Sequence, residues 1–269
     1  MLKLWLFVEI PALRILQSGI LLNFAGLHKI PYKILKEKSM KKIGLIGGMS
    51  YESTITYYDG INRKINERLG GLSSGEILLS SLNFDEIERC QRDNEWGRAG
   101  EILARHARVL QSGGADYIFL CTNTMHKCYE AINAAISVPF VHIADATLNE
   151  LRKRGVQKVG LLGTIYTMTQ DFYKQRLIEG GVEVLVPNAD EMEAVNEVIF
   201  DELCFGKILP HSKEKFLRII EGLRARGAQG VILGCTEIGL LVSQADTAAW
   251  LFDTTQIHID AAVSLALSE

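Results

Sequence analysis

From Lys41 onward, short runs of aliphatic and β-branched residues alternate with stretches of helical periodicity. The runs Ile43–Ile46, Ile77–Leu82, Tyr117–Leu120, Phe140–Ile143, Val159–Leu162, Val182–Val186, Val231–Leu233 and Trp250–Phe252 read as strands. Between them, Ile55, Tyr58, Ile61, Ile65 and Leu69 keep helical spacing. So do Ile102, Leu103, His106, Val109 and Leu110, and then Met192, Val195, Ile199 and Leu203. Each stripe is expected to face a core. Alternation of this kind predicts parallel α/β layers. No low-complexity linker or long Pro, Gly or Ser run divides the chain, so its two halves are expected to pack closely.

The pattern repeats. Lys42–Gly48 (KIGLIGG) resembles Lys158–Thr164 (KVGLLGT) at an offset of 116 residues. Gly114–Thr124 (GADYIFLCTNT) resembles Gly227–Glu237 (GAQGVILGCTE) at an offset of 113. Similar offsets over two separate motifs point to duplicated halves related by a pseudo-two-fold axis. In parallel α/β folds, ligands gather beyond the carboxyl ends of the strands. All four repeated segments end there, at Gly47–Ser50, Cys121–Thr124, Gly163–Thr164 and Cys235–Glu237. Facing halves would line one shared cleft, with Cys235 opposite Thr122 and Thr236 opposite Asn123.

Composition narrows the classes of function. A chain of 269 residues suits one or two α/β domains with a buried core. The net charge is −3 and no Lys/Arg block stands out, which argues against a nucleic-acid partner. Five cysteines (Cys90, Cys121, Cys128, Cys204, Cys235) lack paired short spacing, and the six histidines form no HxH or HxxxH pair. Neither a disulfide framework nor a metal site is therefore expected, and a reducing cytoplasm is the simplest setting. The loop Gly44–Gly48 fails the GxGxxG fingerprint, and no ribose-binding acid sits in context. This disfavours a nucleotide-binding oxidoreductase.

A pseudo-symmetric cleft suits chemistry that needs a proton carrier on each side of one carbon. A thiolate is a suitable carrier because local amides or helix N-termini lower the thiol pKa. Thr122 is a poorer base and would donate or relay a proton with support from a neighbour or water. Asn123, Thr124, Thr236 and Glu237 supply polar groups at strand–helix junctions. Against this stands the plain reading that a cysteine after an apolar strand is a small buried residue. The repeat and the Gly-Cys-Thr-Glu context lift Cys235 above that reading, but not Cys90, Cys128 or Cys204. Strand alternation turns Cys121 away from Thr122 and makes it strand-end packing. His126 is expected on the following helical turn, capping or packing.

The segments Ile43–Ser50 (IGLIGGMS), Cys121–His126 (CTNTMH) and Gly234–Glu237 (GCTE) resemble the aspartate/glutamate racemase family, in its order, from about Met40 to the C-terminus. The resemblance implies two pseudo-symmetric Rossmann-like α/β domains with the active site in the cleft between them. It further implies a cofactor-independent enzyme (no pyridoxal phosphate), two proton-carrying residues and a homodimer. The second family cysteine falls on Cys235, and the slot of the first holds Thr122, which implies preference for the L-enantiomer. Met49, Ser50, Asn123, Thr124, Thr236 and Glu237 match positions that hold substrate, and Gln91 falls where a polar contact is expected. A distal carboxylate asks for a cation. Arg89 and Lys174 are the candidates, each equally readable as solvated surface.

The resulting expectation is racemisation of aspartate or glutamate by Cα proton transfer. A related diacid isomerase or decarboxylase, and a catalytically silent amino-acid-binding protein, stand as alternatives. The expected domains are 40–143 plus 246–269 and 144–245, with the strand and helix from Trp250 onward returning to the first half. Residues 1–39 are apolar but broken by Glu9, Pro11 and Arg14, which makes a poor membrane span or signal peptide. They are expected to be a leader upstream of a natural start at Met40. Intact-mass measurement of the native protein tests this, and finding residues 1–39 present overturns it.

Overall fold

The computed structural model describes residues 20–22, 29–31 and 40–268. Strands β1 (Ile20–Leu22) and β2 (Lys29–Pro31) pair antiparallel. The expected leader otherwise falls outside the described residues. Residues 40–268 form a compact unit of their own. Its first part runs β3 (Ile43–Gly47), α1 (Tyr51–Leu69), β4 (Ile77–Ser81), α2 (Phe84–Arg92), α3 (Trp96–Ser112), β5 (Tyr117–Leu120), α4 (Tyr129–Asn133), β6 (Phe140–Val141) and α5 (Ile143–Lys153). The second runs β7 (Lys158–Gly163), α6 (Ile165–Thr169), α7 (Asp171–Glu179), β8 (Glu183–Leu185), α8 (Ala189–Asp201), α9 (Pro210–Ala225), β9 (Gly230–Gly234), α10 (Ile238–Leu241), β10 (Trp250–Asp253) and α11 (Thr254–Ala266). The eight strands read from the sequence are all present, within two residues at either end.

They form two four-stranded sheets, β4-β3-β5-β6 and β8-β7-β9-β10, in which every neighbouring pair is parallel. The orders match strand for strand, so the sequence repeat is also a repeat of topology. Side-chain alternation splits each strand between two layers. In β3, Ile43 and Leu45 face Tyr57, Ile61 and Ile65 of α1, while Ile46 joins Ile87, Leu103 and Leu110 on the other face.

The last element of each half crosses to the other. Helix α5 follows the first sheet, yet Leu148 and Leu151 pack with Val159, Leu161, Tyr173 and Leu177 against the second. Helix α11 follows the second sheet, yet Ile259 and Val263 pack with Ile43, Leu45 and Tyr57 against the first. The strand before it does not cross. The expectation that everything from Trp250 onward belongs to the first half is corrected here, because Trp250–Asp253 pairs in register with Gly230–Leu233. That edge is the repeat's equivalent of β6 beside β5.

The helical stripes also need correction. On α1 the face that packs is Tyr57, Ile61 and Ile65, each fully buried, whereas Ile55, Tyr58 and Leu69 are 60%, 54% and 53% exposed. Val109 on α3 is likewise exposed. Helix α1 carries apolar residues on two faces, and the 3.6-residue period alone does not say which one meets the sheet.

The loop after β3 is pinned by Thr54, whose hydroxyl accepts from the Gly48 N–H at 2.8 Å and donates to the Ser50 carbonyl at 2.9 Å. Gly48 has φ +91°, and a Cβ there would collide with the Leu82 carbonyl oxygen. Backbone on the receiving side cannot swing away as a side chain tip does. Gly48→Ala is expected to lose about 2–4 kcal/mol of stability, read as a lower urea midpoint at unchanged m-value. A midpoint equal to the wild type would refute this account of the loop.

Candidate active site

The carboxyl ends of β3, β5, β7 and β9 meet at one cleft, bounded by Met49, Gln91, Thr122, Asn123, Thr124, Thr164, Cys235, Thr236 and Glu237. Phe84, Ile199, Phe200, Cys204 and Gly234 complete its wall. The cleft is closed, for Thr122 and Cys235 are only 9% and 8% exposed.

Glu237 organises this space. Its Oε1 accepts from the Ser50 hydroxyl at 2.7 Å, and its Oε2 accepts from the Thr236 hydroxyl at 2.7 Å and the Cys235 thiol at 3.0 Å. Ser50 also caps α1, taking the Ser53 N–H on the same oxygen. One side chain thus starts a helix of the first half and ties it to the motif of the second. A reciprocal tie joins Thr124, after β5, to Thr164, after β7, at 3.0 Å between hydroxyls. Burial, and then the Glu237 carboxylate, push the Cys235 thiol well above its ordinary pKa. In the closed cleft the sulfur therefore holds its proton and shares it with Glu237.

The other sequence-predicted residues fall as follows. Gln91 is buried and its amide donates to Met125 Sδ at 2.8 Å, beside Met49 in the same core. Cys121 is fully buried in the core opposite Thr122, and burial raises its thiol pKa. Cys90 and Cys128 lie in the core of the first half. Cys204, in contrast, reaches the cleft wall, its thiol pushed up to about 12 mainly by burial. Lys174 does not line the cleft. Its ammonium donates to the Thr169 carbonyl at 3.0 Å, a bond set by the turn between α6 and α7. Arg89 pairs with Asp85 one helical turn back, at 3.2 Å on the exposed face of α2. Neither expected cation therefore meets a ligand in the cleft, and no Lys or Arg is among its described lining residues.

Phe84, Phe200 and Thr254 were not legible as site residues. Phe84 and Phe200 sit on α2 and α8, outside the repeated segments, where nothing distinguishes them from core aromatics. Thr254 lies just behind the cleft, where its hydroxyl accepts from the Asn123 amide at 3.0 Å. Among the described residues, no group of three or more His, Cys, Asp or Glu is arranged to hold a metal. No described helix is long and apolar enough to cross a membrane.

With this geometry in hand, relatives become informative. The profile of the Asp/Glu/Hydantoin racemase family matches residues 46–262. The chain belongs to that family. The broad specificity amino-acid racemase RacX of Bacillus subtilis is 26% identical over 229 residues, covering 84% of this chain and 98% of RacX. A solved structure of a candidate Asp/Glu racemase from Yersinia pestis is 49% identical, covering 85% of this chain and 100% of that one, with a TM-score of 0.80. An aspartate racemase homologue from Pyrococcus horikoshii is 40% identical over the same shares, 85% and 100%, with a TM-score of 0.75. Racemases of this family are isomerases, and the two-sheet fold is common to these structures.

Beneath Thr122 lie three buried histidines. His126 Nδ1 lies 2.8 Å from the Thr122 carbonyl and its Nε2 accepts from the Ile143 N–H, which fixes the proton on Nδ1. His258 donates to the Val141 carbonyl and accepts from the Tyr57 hydroxyl, while His142 caps α5 by accepting from the Ala144 N–H. Burial holds all three imidazoles neutral, lowering His126 to about 3, His258 to about 4 and His142 further still. Below about pH 6.5 the unfolded chain takes up these protons and the folded chain does not, so acid favours unfolding. Stability is expected to be full near pH 7 and to fall as pH drops from about 6.5 towards 4, by up to about 1.4 kcal/mol per pH unit for each histidine. Chemical denaturation at pH 7, 6 and 5 measures this. His142→Asn, which keeps a side-chain cap and removes one titration, should flatten the slope; equal slopes would refute the assignment.

Proposed function

We propose that the chain racemises amino acids without a cofactor, moving the Cα proton between Cys235 on one side and Thr122 on the other. The observation that carries this reading is the Cys235 thiol bonded to Glu237 in a closed cleft that also holds Thr122, its counterpart in the repeat. Passing the thiol proton to Glu237 leaves a thiolate that can remove the Cα proton. The substrate ammonium brings the positive charge that offsets the anion so formed. The Thr122 hydroxyl then delivers a proton to the opposite face, and the proton left on Glu237 returns through water to the Thr122 oxygen, which restores both groups. Ser50, Asn123, Thr124 and Thr236 hold the α-substituents, with Met49 and Gln91 closing the wall.

The two carriers are unequally equipped. The repeat places Thr124, not a second carboxylate, where Glu237 stands beside Cys235, and Thr124 is bonded to Thr164. This inequality favours abstraction by Cys235, in keeping with preference for L-substrates. The names of the 49% and 40% identical structures support aspartate and glutamate as substrates. A second reading, neutral amino acids, is favoured by the apolar wall of Met49, Phe84, Ile199 and Phe200, with no Lys or Arg among the described lining residues, and by the broad specificity named for RacX. Lys174 serves the acidic reading only if it leaves the Thr169 carbonyl. A homodimer goes with the family resemblance, and a reducing cytoplasm goes with the free thiols.

The test is Cα deuterium wash-in by NMR in D₂O, with chiral analysis, on L-aspartate, L-glutamate, L-leucine and their D-isomers. The wild type is expected to exchange and invert an L-substrate. Cys235→Ala should lose both by at least about a thousandfold, and Glu237→Gln by about a hundredfold. Thr122→Ala should keep exchange but lose inversion. Exchange in none of the six compounds, or full activity in Cys235→Ala, would overturn the reading. Which L-substrate exchanges fastest separates the acidic from the neutral version.

A further inference from the structure

Asn123 is 2% exposed and its side-chain amide is committed at one end only. Nδ2 donates to Thr254 Oγ1 at 3.0 Å, and Thr254 donates its single hydroxyl proton to the Leu233 carbonyl at 2.8 Å. A carbonyl oxygen has no proton to give, so the direction of the whole chain is fixed. Thr254 must accept from Asn123, and only the amide nitrogen can donate. Asn and Gln ends are assigned from such networks, and this network allows one assignment. The amide oxygen Oδ1 is left buried with no partner, on a residue that lines the cleft. A buried acceptor without a donor is costly, and bringing a carboxylate oxygen against it costs more.

We infer that Thr254, fully buried behind the cleft, is a positioning residue that turns an acceptor rather than a donor of Asn123 towards the ligand. The site thereby demands an N–H donor at that point. Within the racemase reading on which this rests, the donor is the substrate α-ammonium, and the cleft rejects acids that lack it. Leu233 lies one residue before the end of β9, the strand that also delivers Cys235. The carbonyl that orients Asn123 is thus tied to the backbone that positions the thiol. Ammonium and sulfur are referenced to one strand. A substrate held by its nitrogen is then held at a fixed distance from the base.

The experiment is calorimetric binding in a Cys235→Ala background, where no turnover is expected. Two pairs serve as probes, L-aspartate against succinate and L-leucine against 4-methylpentanoate, each pair differing by the amino group. With Thr254 intact, the amino acid of the pair that binds should do so roughly ten- to a hundredfold more tightly than its deamino partner. Thr254→Val should bring that ratio to within about threefold, Thr254→Ser should restore it, and Asn123→Ala should lose it without any change at Thr254. Adding Thr254→Val to Asn123→Ala should cost nothing more, since a residue acting through Asn123 has nothing left to act on. A ratio unchanged in Thr254→Val, additive losses, or equal binding of both members with Thr254 intact would overturn the inference. If the wild type shows no Cα exchange while discrimination still follows Thr254, the racemase reading fails and the ammonium site stands.

Discussion

The structure turns on one buried carboxylate. Glu237 is 3% exposed and, among the described residues, no lysine or arginine lines the cleft beside it, so hydrogen bonds are what meet its charge. Three groups meet it: hydroxyls from Ser50 and Thr236 and the thiol of Cys235. Two come from its own motif and one from the opposite half. That third bond makes the carboxylate's environment depend on the loop after β3, hence on Gly48 and Thr54, which shape that loop. Leaving a buried charge short of a partner costs several kcal/mol. The same requirement that keeps Glu237 satisfied therefore holds the two halves in register at the point where chemistry would occur.

The repeat explains how such a site can arise and also why its sides differ. Two copies of one parallel unit, facing each other, place equivalent strand ends across a shared space. Ser50 with Glu237 and Thr124 with Thr164 are ties of the same kind, each from the loop after the first strand of one half to the motif after the third major strand of the other. One tie ends on a carboxylate beside a thiol and the other on a hydroxyl beside a hydroxyl. Geometry is thus symmetric and acidity is not. On the proposed reading, one side has a carboxylate beside its proton carrier, while the opposite side offers a donor with no base behind it.

What was legible in the sequence follows from this arrangement. The strands were legible because each is a short apolar run, and the cleft because four repeated segments end at one edge of their sheets. The corner residues from Met49 to Glu237 were reached by that route. What escaped was whatever depends on contacts between elements. Ile55 and Tyr58 share the helical period of α1 with buried neighbours, and only the packed sheet distinguishes the two faces. Trp250–Asp253 was misassigned because a strand's sheet is decided by its hydrogen-bond partner, which its own residues do not name. Lys174 is the right residue type for an anion, yet the local turn offers it the Thr169 carbonyl. Thr254 is informative only through Asn123 and Leu233, far away in sequence.

The exchange of α5 and α11 bears on how a closed cleft admits anything. The halves are joined on one side by helices whose apolar side chains are buried in each other's cores, and on the other by hydroxyl bonds at the strand ends. Fully burying residues such as Ile259 and Val263 on α11 is worth about 1.5–3 kcal/mol apiece. A tie such as Thr124 to Thr164 contributes about 0.5–1.5 kcal/mol net, and both hydroxyls find water when they part. The Ser50 bond is stronger because its acceptor is charged, but on the proposed reading an incoming ammonium would replace what it supplies. Separation at the strand ends is therefore far cheaper than separation at the helices. The crossed helices are the side that stays joined, and on the proposed reading the substrate's own nitrogen would compensate the carboxylate for the bond that entry breaks.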